Sequence, residues 1–446
     1  MNIDQLESIY FVGIGGIGMS ALARYFNSQG IRVSGYDKTE SPLTKKLVEE
    51  GIDIHYEEDI SQLPEKIDWV VFTPAVPNTH FELVHLKAQG LPVMKRSEVL
   101  GLISKSRPTI AVAGTHGKTS TSSIITWLLH YGDVDCTAFL GGIAMNFDSN
   151  YVEGKGDWVV VEADEYDRSF LQLQPDLAII LSMDADHLDI YGDLRELHQS
   201  FLDFTACIKP SGQLFAKEGL PIETNIPTQR FGLGKGSHRA QNIRTEQGYV
   251  LFDYHSPKGK IADIRFTMPG HHNVENATAA IAIAEDLGLR GETIKEALAL
   301  FKGIKRRFEI IYRDERVVYI DDYAHHPTEL AAAIQAARSL FPKRKITAIF
   351  QPHLYSRTRD FVDGFAQSLD AVDELLLLDI YPARELPIEG VHANLILDRM
   401  KNPNRQLVEK SQLLAVVQAQ SPEVLLTLGA GDIDRFVKPL KELLSK

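Results

Sequence analysis

The stretch Ala113-Gly114-Thr115-His116-Gly117-Lys118-Thr119-Ser120 decides how this chain folds. It follows a short apolar run, Thr109-Ile110-Ala111-Val112, and precedes a helical pattern from Ser122 to His130. Strand, glycine loop with Lys-Thr, then helix is the arrangement that cradles a nucleoside triphosphate. Backbone N–H groups and the helix N-terminus face the phosphates, the lysine reaches the outer ones, and the threonine hydroxyl ligates Mg²⁺. Gly114, Thr115, His116, Gly117, Lys118, Thr119 and Ser120 are therefore the expected ATP contacts. The standard P-loop has a glycine where this chain has Val112, so the loop is a variant of that pattern. A tight strand-to-helix turn would need the glycines, but not Lys118 followed by Thr119.

A second glycine loop lies near the N-terminus. Ser8-Ile9-Tyr10-Phe11-Val12 reads as a buried strand, and Gly13-Ile14-Gly15-Gly16-Ile17-Gly18 turns into a helix through Ala21, Leu22 and Phe26. The next strand, Ile31 to Tyr36, ends at Asp37, where a ribose contact is expected. Asp68 to Thr73 is a later strand, stopped by Pro74 and Pro77. Gly13, Gly15, Gly16, Ile17, Gly18, Asp37 and Thr73 are the candidate contacts for a second phosphorylated ligand. A nicotinamide oxidoreductase is one reading. A bound sugar-nucleotide diphosphate is the other, favoured because no hydride site is evident and a dehydrogenase leaves the loop at 113–120 unexplained.

The chain has 446 residues, enough for about three domains. Its alternating pattern gives an α/β fold. The expected domains are a Rossmann-like domain over 1–105, a central P-loop-type ATPase over 106–307 and a Rossmann-like domain over 308–446. The central sheet should be mainly parallel, with a small antiparallel section between about 219 and 270. A long helical pattern runs from Val274 to Leu287. Net charge is −13, from 60 acidic and 47 basic residues, which argues against nucleic acid as a partner. The two cysteines, Cys136 and Cys207, match no metal or redox spacing. No basic leader and no apolar run of membrane-spanning length is present, so a soluble cytoplasmic protein without a membrane partner is expected.

Further motifs sit at predicted strand ends. Glu162-Ala163-Asp164-Glu165-Tyr166-Asp167 follows the strand Asp157 to Val161, where an acid can hold Mg²⁺ against crowded phosphates. Ser182 to Asp189 follows Leu177 to Leu181 and carries His187 at the same edge. Thr119 and Glu162 are expected near one metal ion, with His187 near a second. Gly270 to Asn276 opens a helix; Asn273 could cap it, and Asn276 is read against the adenine base. Arg307, at the end of a basic run, is read as a nucleotide or phosphate contact. In the third domain, Asp321 to Glu329 follows a strand and opens a helix with Pro327 in its first turn. Gln351 to Arg359 follows the next strand, and Arg357 and Arg359 beside histidines suit a carboxylate or phosphate.

Together these motifs resemble the Mur ligase family over essentially the whole chain. The carriers are GIGGIGMS at 13–20, AGTHGKTS at 113–120, EADEYD at 162–167, DHLDIYG at 186–192, GHHNVENA at 270–277, DDYAHHPTE at 321–329, QPHLYSRTRD at 351–360, YPARE at 381–385 and LTLGAGDI at 426–433. The chain departs from the family pattern at Ser182, Tyr166 and Ala324, where the family usually has Asn, Ser and Gly. The resemblance implies ATP-driven amide formation through an acyl phosphate, with Mg²⁺ or Mn²⁺. It implies small-molecule partners only: UDP-N-acetylmuramate, L-alanine and ATP. Lys118 should span the β- and γ-phosphates, His325 or His326 should assist the amine, and Tyr323, His325, Arg357 and Arg359 should form the amino-acid site. Lys118, Glu162, His187, His325, His326, Arg357 and Arg359 are the expected catalytic residues. A monomer or weak homodimer is expected. Two alternatives stay open: a recycling ligase that adds a tripeptide to the same sugar nucleotide, and a non-catalytic sensor of it.

Overall fold

The structure, a computed structural model, describes residues 3–184, 188–246, 249–383 and 385–446. Its strands form three sheets. The first has the order Asp53–His55, Arg32–Tyr36, Ser8–Val12, Trp69–Phe72 and Val93–Lys95, with every pairing parallel. Ile9, Tyr10, Phe11 and Val12 are fully buried, as in a parallel sheet covered by helices on both faces. The strand order reverses between Ser8–Val12 and Trp69–Phe72, the crevice where doubly wound sheets receive ligands. The first glycine loop leaves its strand there. A Cβ on Gly13 would come within 2.8 Å of the Thr73 methyl group.

The second sheet has ten strands. Thr109–Ala113, which feeds the phosphate loop, lies between Leu177–Ile180 and Trp158–Ala163 and is parallel to both. The hairpin of Cys136–Ala144 and Ser149–Val152 is antiparallel. At the other end, His238–Glu246, Tyr249–Ser256 and Gly259–Phe266 are successive neighbours within the span read as a departure from the parallel pattern. Trp158–Ala163 runs two residues beyond the predicted strand, so Glu162 lies inside it, in register with Val112. The helix His271–Asp286 starts before Val274, and Asn273 is inside it, donating from Nδ2 to the Pro269 carbonyl at 2.7 Å.

The third sheet has the order Glu309–Arg313, Val318–Asp322, Val424–Leu428, Ile346–Phe350, Glu374–Leu377 and Arg405–Leu407. Only the first pairing is antiparallel. The loops after Asp322, Phe350, Leu377 and Leu428 therefore leave from one edge. By contact density the chain divides into two compact units. One holds Met1–Arg239, Tyr254–Ile261 and Asn276–Ala297; the other holds Ala240–Asp253, Ala262–Glu275 and Leu298–Lys446. Among the described residues no helix is long and apolar enough to cross a membrane.

Candidate active site

The phosphate loop is held from three sides. Gly117 caps the helix Lys118–Tyr131 with φ of +85°, a left-handed conformation that glycine adopts without strain. A Cβ there would also lie 2.6 Å from the Asn276 side-chain oxygen, so Asn276 stands directly against the loop. Ser182 braces it from the neighbouring strand end: its Oγ accepts from the His116 N–H at 2.8 Å and from the Thr115 hydroxyl at 3.0 Å. The serine found where the family usually has asparagine is thus a strut of the loop. Lys118 donates to the Gly114 carbonyl at 2.7 Å and to Glu165 at 2.6 Å, and the Glu165 side chain is 1% exposed. Burial alone would depress the Lys118 ammonium, but Glu165, Asp164 and Glu162 carry it above its ordinary value.

Glu162 stands beside this lysine. Its Oε2 accepts from the Thr119 hydroxyl at 3.1 Å, and its Oε1 accepts from the Ser122 hydroxyl at 3.1 Å and from the Gly141 N–H. Burial pushes the Glu162 carboxyl up, against those hydrogen bonds and Lys118. Among the described residues no three His, Cys, Asp or Glu side chains gather into a ready cation cage. A hydroxyl and one carboxylate are nonetheless the protein share expected for Mg²⁺, which takes its remaining oxygens from water and nucleotide phosphates. Thr119 and Glu162 fit that ion. His187 lies outside the described residues.

The first glycine loop shares a cavity with these groups. A space of about 330 Å³ is lined by Gly16, Gly18, Arg96, Lys118, Glu162 and Asp164, among others. A second space of about 520 Å³ borders Gly13, Gly15, Asp37 and Thr73. Asp37 accepts from the Gly15 N–H at 2.7 Å, so the acid ending the second strand is tied to the loop itself. Arg96 and Gly141 carried no sequence signal. Each reaches the cavity through tertiary approach rather than motif spacing.

The third-sheet loops form their own cluster in the other compact unit. His325 Nδ1 lies 3.0 Å from the Tyr323 carbonyl and 3.3 Å from the Glu329 carboxylate. Both are acceptors, so Nδ1 carries the proton and Nε2 of the neutral ring is the basic nitrogen. His326 instead caps the helix Pro327–Leu340, accepting the Thr328 N–H at its own Nδ1, and packs on Phe361. Arg307 lies over the Tyr323 ring and 4.0 Å from Glu329. Arg357 is 7% exposed, whereas Arg359 is exposed and paired with Asp360. Two positions apart on the helix Tyr355–Asp360, they do not share a face. His353, not singled out in the sequence, sits edge-on to His325 and stacked on Tyr381.

Asp322, half-buried in this cluster, accepts the Phe308 and Ala324 N–H groups, yet burial pushes its carboxyl from 3.8 up to about 6. Between those values the folded chain holds a proton that the unfolded chain has released. Stability should therefore fall as pH rises through this window and stay lowered above it, by about 1–3 kcal/mol for this group. Asp322→Asn should flatten that slope, whatever its absolute stability. Urea denaturation of both proteins at about pH 4.5 and about pH 6.5 measures it, and equal slopes would refute the assignment.

Three family models match the chain: "Mur ligase family, catalytic domain" over residues 8–107, "Mur ligase middle domain" over 112–284 and "Mur ligase, glutamate ligase domain" over 306–431. The UDP-N-acetylmuramate–L-alanine ligase of Flavobacterium johnsoniae is 50% identical, covering 100% of both chains. The crystal structure of UDP-N-acetylmuramate-alanine ligase MurC from Thermotoga maritima is similar at 30% identity with a TM-score of 0.85, covering 98% of each chain. A murein peptide ligase from Psychrobacter arcticus shares the fold at 24% identity with a TM-score of 0.74, covering 99% of each. With three matched domains in family order and a relative at half identity over the full length, the chain belongs to the Mur ligase family.

Proposed function

We propose that this chain joins L-alanine to the carboxylate of UDP-N-acetylmuramate, converting ATP to ADP and phosphate, in peptidoglycan precursor synthesis. The observation that carries this reading is the single cavity lined by Gly16 and Gly18 of one glycine loop and by Lys118 and Glu162 of the other phosphate site. A sugar-nucleotide anion and a triphosphate can meet there. The relatives at half identity bear the alanine ligase name, which favours free alanine over a tripeptide as acceptor.

In this reading residues 1–105 hold the UDP-sugar, 106–307 hold ATP and 308–446 receive the amino acid. The substrate carboxylate attacks the γ-phosphorus, an acyl C–O–P linkage forms, and ADP leaves. Lys118 spreads its charge over the β- and γ-phosphates, and the helix from Lys118 adds its N-terminal field. Thr119 and Glu162 would hold Mg²⁺, which when bound neutralises phosphate charge. Asn276, hard against Gly117, fixes the loop that surrounds the phosphates. The alanine amine then attacks the acyl carbonyl and phosphate departs from the tetrahedral intermediate. His325 Nε2 takes the amine proton, and Tyr323 and Arg357 align the amino acid. ATP with Mg²⁺ and two small substrates thus suffice, and we place the reaction in the cytoplasm.

Phosphate release should require ATP, UDP-N-acetylmuramate and L-alanine together. An acceptor panel of alanine, glycine, serine and the tripeptide, read by phosphate release, tests reaction class and acceptor at once. Preference for the tripeptide would establish the recycling reaction instead. Sugar-nucleotide binding without any turnover would establish a sensor.

A further inference from the structure

Arg96 stands at a point that neither glycine loop's sequence marks. It is the first residue of the helix Arg96–Ser106, following the edge strand Val93–Lys95 of the first sheet. Its guanidinium extends over the first glycine loop: a Cβ on Gly18 would lie 2.7 Å from Nη1. Its Nη2 pairs with Asp164 at 3.3 Å, from the segment after the strand that carries Glu162. Asp164 is itself oriented, accepting the Tyr166 N–H at 3.2 Å. Arg96, Asp164, Gly16 and Gly18 line one cavity.

A helix N-terminus preceded by glycines attracts a diphosphate, and a guanidinium lying over that loop adds a planar, permanently charged donor. Asp164 and a diphosphate both draw on the one positive charge of this guanidinium, and the two anions repel each other across it. Asp164 is then an internal counter-ion, keeping Arg96 over the loop while competing with the ligand for it.

We propose that Arg96 is a diphosphate-binding residue of the sugar-nucleotide site and that Asp164 is a built-in competitor which gives Arg96 up when the diphosphate arrives. This rests on the sugar-nucleotide reading above. Both side chains keep some solvent exposure, so their pairing is weak and the exchange is favourable.

Titration calorimetry of the full chain with UDP, and separately with UDP-N-acetylmuramate, tests the proposal. Arg96→Ala should weaken both ligands roughly ten- to a hundredfold, the range for losing a charge-assisted pair. Asp164→Asn should tighten both by about two- to fivefold, a gain that structural damage does not produce. Lys95→Ala removes the neighbouring Lys95–Asp167 pair at 2.8 Å and should leave both affinities unchanged. Unchanged affinity in Arg96→Ala, weakening in Asp164→Asn, or an equal loss in Lys95→Ala would each overturn the proposal. An Arg96 effect on UDP-N-acetylmuramate but not on UDP would overturn the diphosphate assignment in favour of the substrate carboxylate. If the unaltered chain binds neither ligand, the sugar-nucleotide reading itself fails.

Discussion

Lys118→Ala should abolish ligation, lowering turnover on the order of 10³-fold or more, while sugar-nucleotide binding is retained. Removing one fixed hydrogen-bond donor from a developing oxyanion costs about 10²–10³-fold, and Lys118 carries a full charge in a buried setting. The same substitution should also destabilise the fold. Glu165 is 1% exposed and pairs with Lys118 at 2.6 Å, so its buried carboxylate would lose that cation. Breaking such a pair from one side costs about 3–5 kcal/mol. Lost activity could then reflect poor folding alone. The double substitution Lys118→Ala with Glu165→Gln separates the two effects. Removing that carboxylate charge should recover much of the stability, read by urea denaturation, and none of the ligation, read by phosphate release. Recovery of ligation alongside stability would show that Lys118 is a structural cation and not the phosphate ligand. Loss of UDP-N-acetylmuramate binding in the stable double variant would sink the assignment of the two loops to separate ligands.

The two glycine loops were legible in the sequence because their requirements are local. Gly117 must take a left-handed conformation at the start of its helix, and Lys118 and Thr119 must follow it immediately. The alternation of apolar runs likewise placed the strands, since buried parallel strands read as continuous hydrophobic stretches. What escaped depends on approach between segments distant in sequence. Arg96 carries meaning only because its helix starts beside Gly18 and faces Asp164. Asn276, read from its motif as a base contact, stands against Gly117, a relation set by how the helix His271–Asp286 approaches the loop. The pair Arg357 and Arg359 looked like one anion-binding face in the linear sequence. Helical geometry separates them, because residues two apart point in different directions. Glu162 was expected just beyond its strand and lies within it, an end-of-element error of the kind that hydrophobic patterning alone does not remove.

The adjacent histidines 325 and 326 could not be ranked from sequence, and their hydrogen bonds make opposite predictions for them. At pH 7 only about 1% of free alanine carries a neutral amine, so the attack on the acyl phosphate needs a proton acceptor. His325 directs Nδ1 to the Tyr323 carbonyl and Glu329, which fixes the tautomer whose Nε2 accepts a proton. His325→Asn should therefore lower the single-turnover ligation rate by about 10²–10⁴-fold near neutral pH. That deficit should shrink as pH rises toward the pKa of the amine, because the solution then supplies the neutral nucleophile directly. His326 spends its Nδ1 on the Thr328 N–H at the start of a helix, so its other nitrogen carries the proton and is no base. His326→Ala should lower stability by about 0.5–2 kcal/mol, the usual cost of a lost cap, with little change in rate. Rates for both variants across neutral to alkaline pH, beside their urea midpoints, decide the matter. A pH-independent deficit in His325→Asn would mean the ring positions the amino acid without taking its proton, and an equal rate loss in His326→Ala would remove the tautomer argument altogether.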